Sequence, residues 1–347
     1  MKYIGMDVHK KFCYVTIMDQ EGNKICERRF PTTDEELSAF AEDIGDAKVV
    51  VEASTTGLRV YEHLDELGVN ICMAHPLKVK AIADAKVKTD RIDSEVLTHL
   101  LRANLIPEAY VPPREIRDLR DLVRHRAALT RVQTSIKNRI HSILTREGVQ
   151  YNFSDLFGKG GTKFLKTVKL KEQNRMAVNN FLTILDTLRS RIDEVSEQID
   201  KEAGDNKGAE FLANEIKGLG RYTSLLVATE IGDVTRFSVY KKLSSYAGLI
   251  PSTSSSGGVT RHGKITKRGN KLLRWALIQA AWRVIRYDEK LRWYYQRDCE
   301  EEREKCSDRG DSKEAVEEDI FHTSKESSLW STGRITPFFH GQLRPLQ

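Results

Sequence analysis

Four acidic residues near the start of the chain have types and positions that suit a divalent-cation site. Asp90 and Asp93 are three residues apart in a helical segment, so their side chains point the same way, with Cβ atoms about 5–6 Å apart. Asp7 interrupts an apolar strand, where a lone buried acid is costly without a partner. Glu52 ends the run "VVVE" at the carboxyl end of a predicted strand, where open α/β sheets place their ligands.

Together, these four carboxylates could serve a two-metal site. Carboxylate oxygens bind divalent cations, and two cations about 3.5–4 Å apart stabilise the attacking and leaving oxygens of a phosphodiester. Two alternatives remain open. Asp90 and Asp93 alone fit ordinary capping of the helix that begins in "TDRIDSE". The whole set of acids also fits a flavodoxin-like domain with scattered surface carboxylates.

Residues 1–110 must position these acids, and their pattern predicts an α/β domain. A helix capped by Thr33 is predicted in "TTDEELSAFAEDI", and a helix ended by Gly68 is predicted in "LRVYEHLDELG". Short runs rich in β-branched and aromatic residues predict strands. The predicted strands are "KYIGMDV", "CYVTIMD", "EGNKICERRF", "AKVVVEAS" and "VNICMAHP".

Residues 111–207 are predicted to form a long helical, coiled-coil region. Apolar residues recur at steps of three and four, and in the second helix they alternate in the spacing of a coiled-coil seam. An antiparallel helical pair or a dimerisation stalk would bury these faces. Basic residues line one side of the first helix, and they fit either a nucleic-acid backbone or a solvated flank. These residues are Arg117, Arg120 and Arg124.

Residues 208–297 are predicted to form a compact, mostly helical domain. In "IKGLGRYTSLLVATEIGD", one helix ends and another begins around Gly218 and Gly220, beside Lys217. This pattern resembles a helix-hairpin-helix, in which backbone N–H groups approach a phosphate at the second helix. A plain helix turn is the alternative.

The stretch "PSTSSSGGVTRHGKITKRGN" places a serine run before two glycines and a dense basic segment. Such a segment could neutralise phosphates and stabilise the transition state of a nucleophilic serine. A flexible Ser/Gly linker is the alternative, and spacing alone does not separate Ser254, Ser255 and Ser256. The basic residues that we expect to bind nucleic acid are Arg261, Lys264, Lys267, Arg268 and Lys271.

The bulk properties predict a folded, cytoplasmic protein with an anionic partner. The 347-residue chain has a net charge of +6, and 39% of its residues are hydrophobic. We expect no membrane span, because no apolar run reaches about 18 residues. The five cysteines form no CxxC pair, so we expect reduced thiols that bind no zinc. Residues 298–347 form an acidic, irregular tail in which we expect weak order.

Six ordered motifs between Lys2 and Gln296 resemble the bacterial insertion-sequence transposases of the DEDD type. That resemblance implies a RuvC-like (RNase H-like) N-terminal domain joined to a C-terminal transposase domain. The motifs are "YIGMDVHKKF", "VVVEAST", "KTDRIDSEVLTHLL", "IKGLGRYTSLLVATEIGD", "YAGLIPSTSSSGG" and "ITKRGNKLLRWALIQAAW".

The resemblance also implies roles for individual residues. Asp7, Glu52, Asp90 and Asp93 would form an acidic tetrad that binds Mg²⁺, with two cations expected. The serine before "GG" would attack DNA and form a covalent link; Ser256 aligns best and Ser255 second. Family members are guided by a bridge RNA, and their site combines the tetrad of one subunit with the serine of another. The expected partners are therefore DNA, a guide RNA and further copies of the chain, as a dimer or tetramer.

The chain departs from the family pattern after Arg297, where "DCEEEREK" replaces the expected basic, apolar helix. A frameshift in the coding sequence is our hypothesis for this departure. The function predicted is that of a transposase that cuts and rejoins DNA. The first rival is a metal-dependent junction-resolving nuclease without a covalent intermediate, and the second is an inactive nucleic-acid-binding regulator.

Overall fold

The computed structural model describes residues 1–83, 89–256, 259–289, 292–293, 295–297 and 300. The chain forms an N-terminal unit, Met1–Val111, and a C-terminal unit that begins at Pro112. The first predicted boundary, after residue 110, falls one residue from this division. The predicted tail, 298–347, lies outside the described residues except for Glu300. In the described part, none of the helices combines the length and apolar character needed to cross a bilayer.

The N-terminal unit is built on a five-stranded mixed sheet. Its strands are β1 (Lys2–Val8), β2 (Phe12–Met18), β3 (Lys24–Pro31), β4 (Ala47–Glu52) and β5 (Asn70–Ala74). All five predicted strands are confirmed. Their order in the sheet is β3-β2-β1-β4-β5. The strands β1, β2 and β3 form an antiparallel meander, whereas β4 runs parallel to β1 and β5 runs parallel to β4.

Helices cover both faces of this sheet. They are α1 (Asp34–Ile44), α2 (Thr55–Glu66), α3 (Pro76–Ile82) and α4 (Asp90–Arg102). The predicted cap is confirmed, because the Thr33 side chain accepts a hydrogen bond from the Glu36 N–H. Apolar residues of α1 and α2 pack in one core with Ile4, Met6 and Val51. A smaller core on the other face joins Val50 to apolar residues of α4.

The C-terminal unit is mostly helical, as predicted. Its helices are α5 (Arg114–Arg146), α6 (Lys159–Thr167), α7 (Glu172–Asp205), α8 (Lys207–Glu215), α9 (Arg221–Ile231), α10 (Tyr240–Ala247) and α11 (Lys271–Tyr287). Ile140 of α5 packs with Leu182 of α7, and Val123 packs near Ile199. The two long helices therefore run antiparallel, which confirms the helical pair; the coiled coil stays a prediction.

A two-stranded hairpin interrupts the helices of the C-terminal unit. Its strands are β6 (Pro251–Ser256) and β7 (Val259–Ile265), which pair antiparallel. The alternative of a flexible Ser/Gly linker is therefore wrong for residues 251–256. A serine-rich composition is typical of a linker, but here the backbone of β6 is ordered because it forms hydrogen bonds with β7.

Candidate functional site

Asp7 and Glu52 lie side by side at the carboxyl edge of the sheet. Met6 of β1 pairs with Val51 of β4, so each acid is the next residue along its own parallel strand. Successive side chains alternate between the faces of a strand. Because Met6 and Val51 face α1 and α2, Asp7 and Glu52 belong to the opposite face, which α4 covers.

Helix α4 is held against that face by a small polar network. The Thr98 hydroxyl accepts from the Gly5 N–H at 2.9 Å and lies 2.7 Å from the Ser94 carbonyl. The Thr16 and Ser94 hydroxyls are 2.8 Å apart. A Cβ atom at Gly5 would be only 2.2 Å from the Ser94 carbonyl oxygen. Glycine at this position therefore allows α4 to approach the central strand.

The first turn of α4 brings Asp90 and Asp93 towards the sheet edge. The helix is capped by Thr89, whose side chain accepts a hydrogen bond from the Ile92 N–H. The helix cap that the sequence analysis offered as the alternative role of "TDRIDSE" is thus provided by Thr89. The aspartates, at the first and fourth positions, add negative charge where the helix dipole favours it.

Asp7, His9 and Asp90 converge at one point. His9 Nε2 lies 3.1 Å from Asp7 Oδ2 and 3.1 Å from Asp90 Oδ1. One ligand atom from each of the three residues lies within 4.8 Å of the others, a geometry that could hold a cation. Among the described residues, neither Glu52 nor Asp93 falls within that group.

The pKa of the Asp7 carboxyl is shifted by burial and by the charged groups around it. Burial raises the pKa of the Asp7 carboxyl, the neighbouring His9 lowers it, and the negative charges of Asp90 and Asp93 raise it again. Asp93 is therefore electrostatically coupled to Asp7 although it lies outside the tight group. The net direction is upward, which means that the surroundings make the ionised form of Asp7 less favourable than that of a free aspartate.

Two histidines at this edge were missed by the sequence reasoning. His9 is two residues from Asp7, and this spacing puts both side chains on one face of an extended chain. His75 follows β5, and among the described residues its buried Nδ1 atom has no hydrogen-bond partner. The "DVH" spacing was the available signal for His9, whereas His75 had none beyond its place after a strand.

The candidate serines lie on β6. Ser255 pairs with Thr260, and Ser256 pairs with Val259 at the end of the hairpin where the two strands connect. The side chains of Ser255 and Ser256 are exposed. Ser254 pairs with Arg261 in the ladder. The two glycines after Ser256, residues 257–258, lie outside the described residues.

Several predicted basic residues reach solvent. The exposed ones are Lys264 on β7, and Lys267, Arg268 and Lys271 after the hairpin. Arg261 lies on β7. At the junction of α8 and α9, Gly218 has a φ of 81° and Gly220 is the N-cap of α9, and the helix-hairpin-helix stays a prediction. Phosphate binding at this junction stays a prediction.

The predicted basic stripe on α5 requires a correction at Arg120. Arg120 is buried and donates to the carbonyls of Thr229 and Glu230. Arg124 makes two hydrogen bonds, of 2.8 and 2.9 Å, to the buried carboxylate of Glu230. Both residues attach α5 to α9. Arg120 is too buried to reach a nucleic-acid backbone, whereas nucleic-acid binding by Arg124, whose side chain is 47% exposed, stays a prediction. Arg117 donates to the Pro112 carbonyl at 2.7 Å.

Comparison with known proteins places both units among transposases. A family model described as a DEDD transposase of the IS110 type matches residues 4–148. A second model, described as a transposase of the IS116/IS110/IS902 family, matches residues 211–296.

Curated relatives agree with these matches. A probable family 20 transposase of Pseudomonas aeruginosa is 27% identical, covering 84% of this chain and 87% of the relative. The transposase for insertion sequence element IS1328 of Yersinia enterocolitica is 27% identical over 80% of this chain and 82% of that relative. The transposase for insertion sequence element IS1111A of Coxiella burnetii is 24% identical over 84% of this chain and 82% of that relative. The chain belongs to the IS110/IS116 family of insertion-sequence transposases, which are enzymes that act on DNA.

Proposed function

We propose that the N-terminal unit is a RuvC-like, RNase H-like domain that cleaves DNA with two Mg²⁺ ions held by Asp7, Glu52, Asp90 and Asp93. The observation that carries this proposal is the meeting of Asp7 and Asp90 at the carboxyl edge of the sheet, within one ligand group. The sheet order, a meander followed by two parallel strands, supports the domain assignment.

The donor set suits the proposed cations. All four proposed ligands are carboxylates, the oxygen donors that Mg²⁺ takes. Burial and, to a smaller extent, the charges of Asp90 and Asp93 raise the pKa of Asp7, and a bound cation would offset both effects. Bound divalent cations would supply Lewis-acid polarisation of a scissile phosphate. His9 holds the Asp7 and Asp90 carboxylates together through Nε2, and Thr98 and Gly5 fix the helix that carries Asp90.

For the C-terminal unit, we propose that Ser256 is the nucleophile, with Ser255 as the second candidate. Its hydroxyl oxygen would bond to phosphorus while the bond from phosphorus to the leaving DNA oxygen breaks. The serine proton ends on the leaving strand as a hydroxyl. The phosphodiester energy is kept in the protein–DNA bond, so rejoining needs no ATP. The exposure of Ser255 and Ser256 at the connected end of the hairpin supports this role.

The proposed partners follow from the chemistry and the family. DNA is the substrate, and we propose that an element-encoded guide RNA selects it. The tetrad and the serine lie in separate units, so a dimer or tetramer could combine them from different subunits. Basic residues of β7 and of the segment after it would bind phosphates: Arg261, Lys264, Lys267, Arg268 and Lys271.

The tetrad is tested by strand exchange on element-end DNA with Mg²⁺. Asp7→Ala and Glu52→Ala should abolish the reaction, while DNA binding persists. Asp46→Ala is the matched control, because Asp46 is an exposed acid that precedes β4 at the opposite edge of the sheet. It should leave exchange unchanged. Full activity in either tetrad variant would refute the assignment.

The nucleophile is tested by trapping the covalent product on a denaturing gel with labelled DNA. Ser256→Ala should lose the adduct. Ser252→Ala is the matched control, because Ser252 is an exposed serine of the same strand that donates to the Lys264 carbonyl. If the adduct survives in Ser256→Ala and disappears in Ser255→Ala, Ser255 takes the role. Metal-dependent cleavage without any adduct would instead support a nuclease that uses water.

A further inference from the structure

One face of the C-terminal unit combines exposed aromatic rings with basic side chains. Every fourth residue of α11 from Lys271 to Tyr287 lies on one helical row, and the row reads Lys, Trp, Gln, Arg, Tyr. Trp275 is 44% exposed and Tyr287 is 49% exposed. Large exposed aromatic rings at regular spacing on a basic row are a feature of interaction surfaces.

The start of α9 extends this row. The Tyr222 ring lies 6.3 Å from the Trp275 ring, and the Arg126 guanidinium lies 4.2 Å above Tyr222. At the other end, Lys217 Nζ lies 5.2 Å from the centre of the Tyr287 ring. We call this set the aromatic–basic face; it comprises Lys217, Tyr222, Lys271, Trp275, Arg283 and Tyr287.

We propose that the aromatic–basic face binds unpaired DNA by stacking bases on Trp275 and Tyr287 while its cations neutralise the backbone. This proposal rests on the proposed function, and it adds a binding surface for the strands that are unpaired during exchange. Single-stranded nucleic acid is bound by rings that stack on bases beside cations that follow the phosphates. The five positions of the α11 row carry no acid.

Charge decides between DNA and a second copy of the chain. A symmetric contact would bring two copies of this positively charged surface together, and surfaces of like charge repel each other. An anionic partner with planar groups matches both features of the face. Because transposases of this family act on DNA, unpaired DNA is the occupant to which we commit.

The test is fluorescence anisotropy with a short labelled single-stranded deoxyoligonucleotide and the full-length protein. Trp275→Ala should weaken binding about tenfold, the lower part of the range measured for loss of one stacking ring. Trp275→Phe should recover most of the affinity because it restores a ring. Met176→Ala is the control, since Met176 is a 63% exposed apolar residue of α7 outside the face; its affinity should stay within about twofold.

Three results would overturn the proposal. The first is unchanged affinity for single-stranded DNA in Trp275→Ala. The second is a larger loss for single-stranded RNA or duplex DNA of the same sequence. The third is a change in sedimentation of the DNA-free protein, which would make the face a self-association surface. Asp7→Ala separates this proposal from the proposed function: it should bind the oligonucleotide normally even though it cannot exchange strands.

Discussion

At Asp7, the requirements of the site and of stability oppose each other. Its side chain is 16% exposed and lies beside other aspartates, so its ionised form is disfavoured. His9 offsets part of this cost through the hydrogen bond at 3.1 Å. A carboxylate whose ionised form is made less favourable by its surroundings gains from a cation, because binding offsets the burial and the repulsion.

The first prediction concerns Asp7→Asn in metal-free protein. This change should raise the melting temperature by a few degrees at pH 7, because it removes a partly buried charge and nearly conserves shape. The pKa of Asp7 is raised above its ordinary 3.8, so the wild type loses stability as the pH rises through that pKa. The advantage of Asp7→Asn should therefore narrow as the pH falls towards 3.8. Calorimetry at a series of pH values measures the difference in melting temperature between Asp7→Asn and the wild type, with Asp46→Asn as the control.

Adding Mg²⁺ should reverse the order of these proteins. The wild type should gain thermal stability with increasing Mg²⁺, and Asp7→Asn should gain little. A lower melting temperature for metal-free Asp7→Asn at pH 7 would show that the Asp7 charge stabilises the fold, contrary to its raised pKa.

Individual residues differed in how far the sequence could predict them. Asp7 was predictable because an acid in a buried strand is unusual, and Asp90 because its spacing from Asp93 puts two carboxylates on one side of a helix. His9 was not, because a polar residue just after a strand is common in any turn. Arg120 and Arg124 looked like a surface stripe, and their partner Glu230 lies more than 100 positions away.

Among the elements, α4 determines where half of the proposed tetrad lies. Its contact with β1 depends on Gly5, since a Cβ atom there would overlap the Ser94 carbonyl and the Thr98 hydroxyl. Both of these atoms belong to the helix that begins with Asp90. Pushing α4 outward would therefore separate Asp90 from Asp7 without altering either carboxylate.

The second prediction is that Gly5→Ala lowers the affinity for divalent cations as well as stability. Overpacking of this kind costs about 1–3 kcal/mol. Ile4→Val is the matched control, because Ile4 is fully buried on the opposite face of the same strand. Ile4→Val should lower the free energy of unfolding by about 1 kcal/mol and leave the affinity for divalent cations unchanged. Equal loss of metal affinity in both variants would mean that general destabilisation, and not the position of α4, controls the site.

The hairpin of the C-terminal unit depends on two glycines at its base. Gly248 has a φ of 71°, and a Cβ atom there would lie 1.9 Å from the Arg268 carbonyl oxygen. Gly269 has a φ of 102°, and its Cβ would lie 2.2 Å from the Tyr246 carbonyl oxygen. The end of α10 and the loop before α11 thus approach backbone to backbone.

The third prediction is that Gly248→Ala destabilises the protein by about 2 kcal/mol or more, because left-handed backbone and steric overlap act together. Gly204→Ala is the control: Gly204 lies in α7, and no atom stands within 4 Å of its Cβ position. That variant should be stabilised by about 0.5–1 kcal/mol. Chemical denaturation measures both, and similar stabilities for the two variants would contradict the proposed close approach.

Helices and strands were largely predictable because apolar periodicity reports which face is buried. The strands of the N-terminal sheet and the two long helices followed directly from this pattern. The β6–β7 hairpin did not, because "STSSSGG" carries no apolar alternation and its order comes from pairing with β7. The short helix α3 was also missed, because none of its residues is buried and an amphipathic pattern is absent.

At the scale of the whole molecule, each unit has cores of its own. In the N-terminal unit, the cores join the sheet to α1, α2 and α4. In the C-terminal unit, the larger core joins the ends of the long helices to α9 and α11. From the sequence, we predicted that the long helices (111–207) and residues 208–297 form separate domains. Val123 and Ile199 pack in the same core as Leu225, a long-range contact that local periodicity cannot report.

The final prediction uses Glu230, which lies at the centre of the C-terminal unit. Its side chain is 1% exposed and accepts from Arg124, with Arg120 at 3.7 Å. Glu230→Gln should lower the free energy of unfolding of this unit by about 3–5 kcal/mol, because it removes one partner of a buried ion pair. Since each unit has cores of its own, calorimetry should show one transition moving down and the other staying in place. Gly5→Ala should move the transition that Glu230→Gln leaves unchanged. A single transition that shifts in both variants would mean that the two units unfold as one cooperative body.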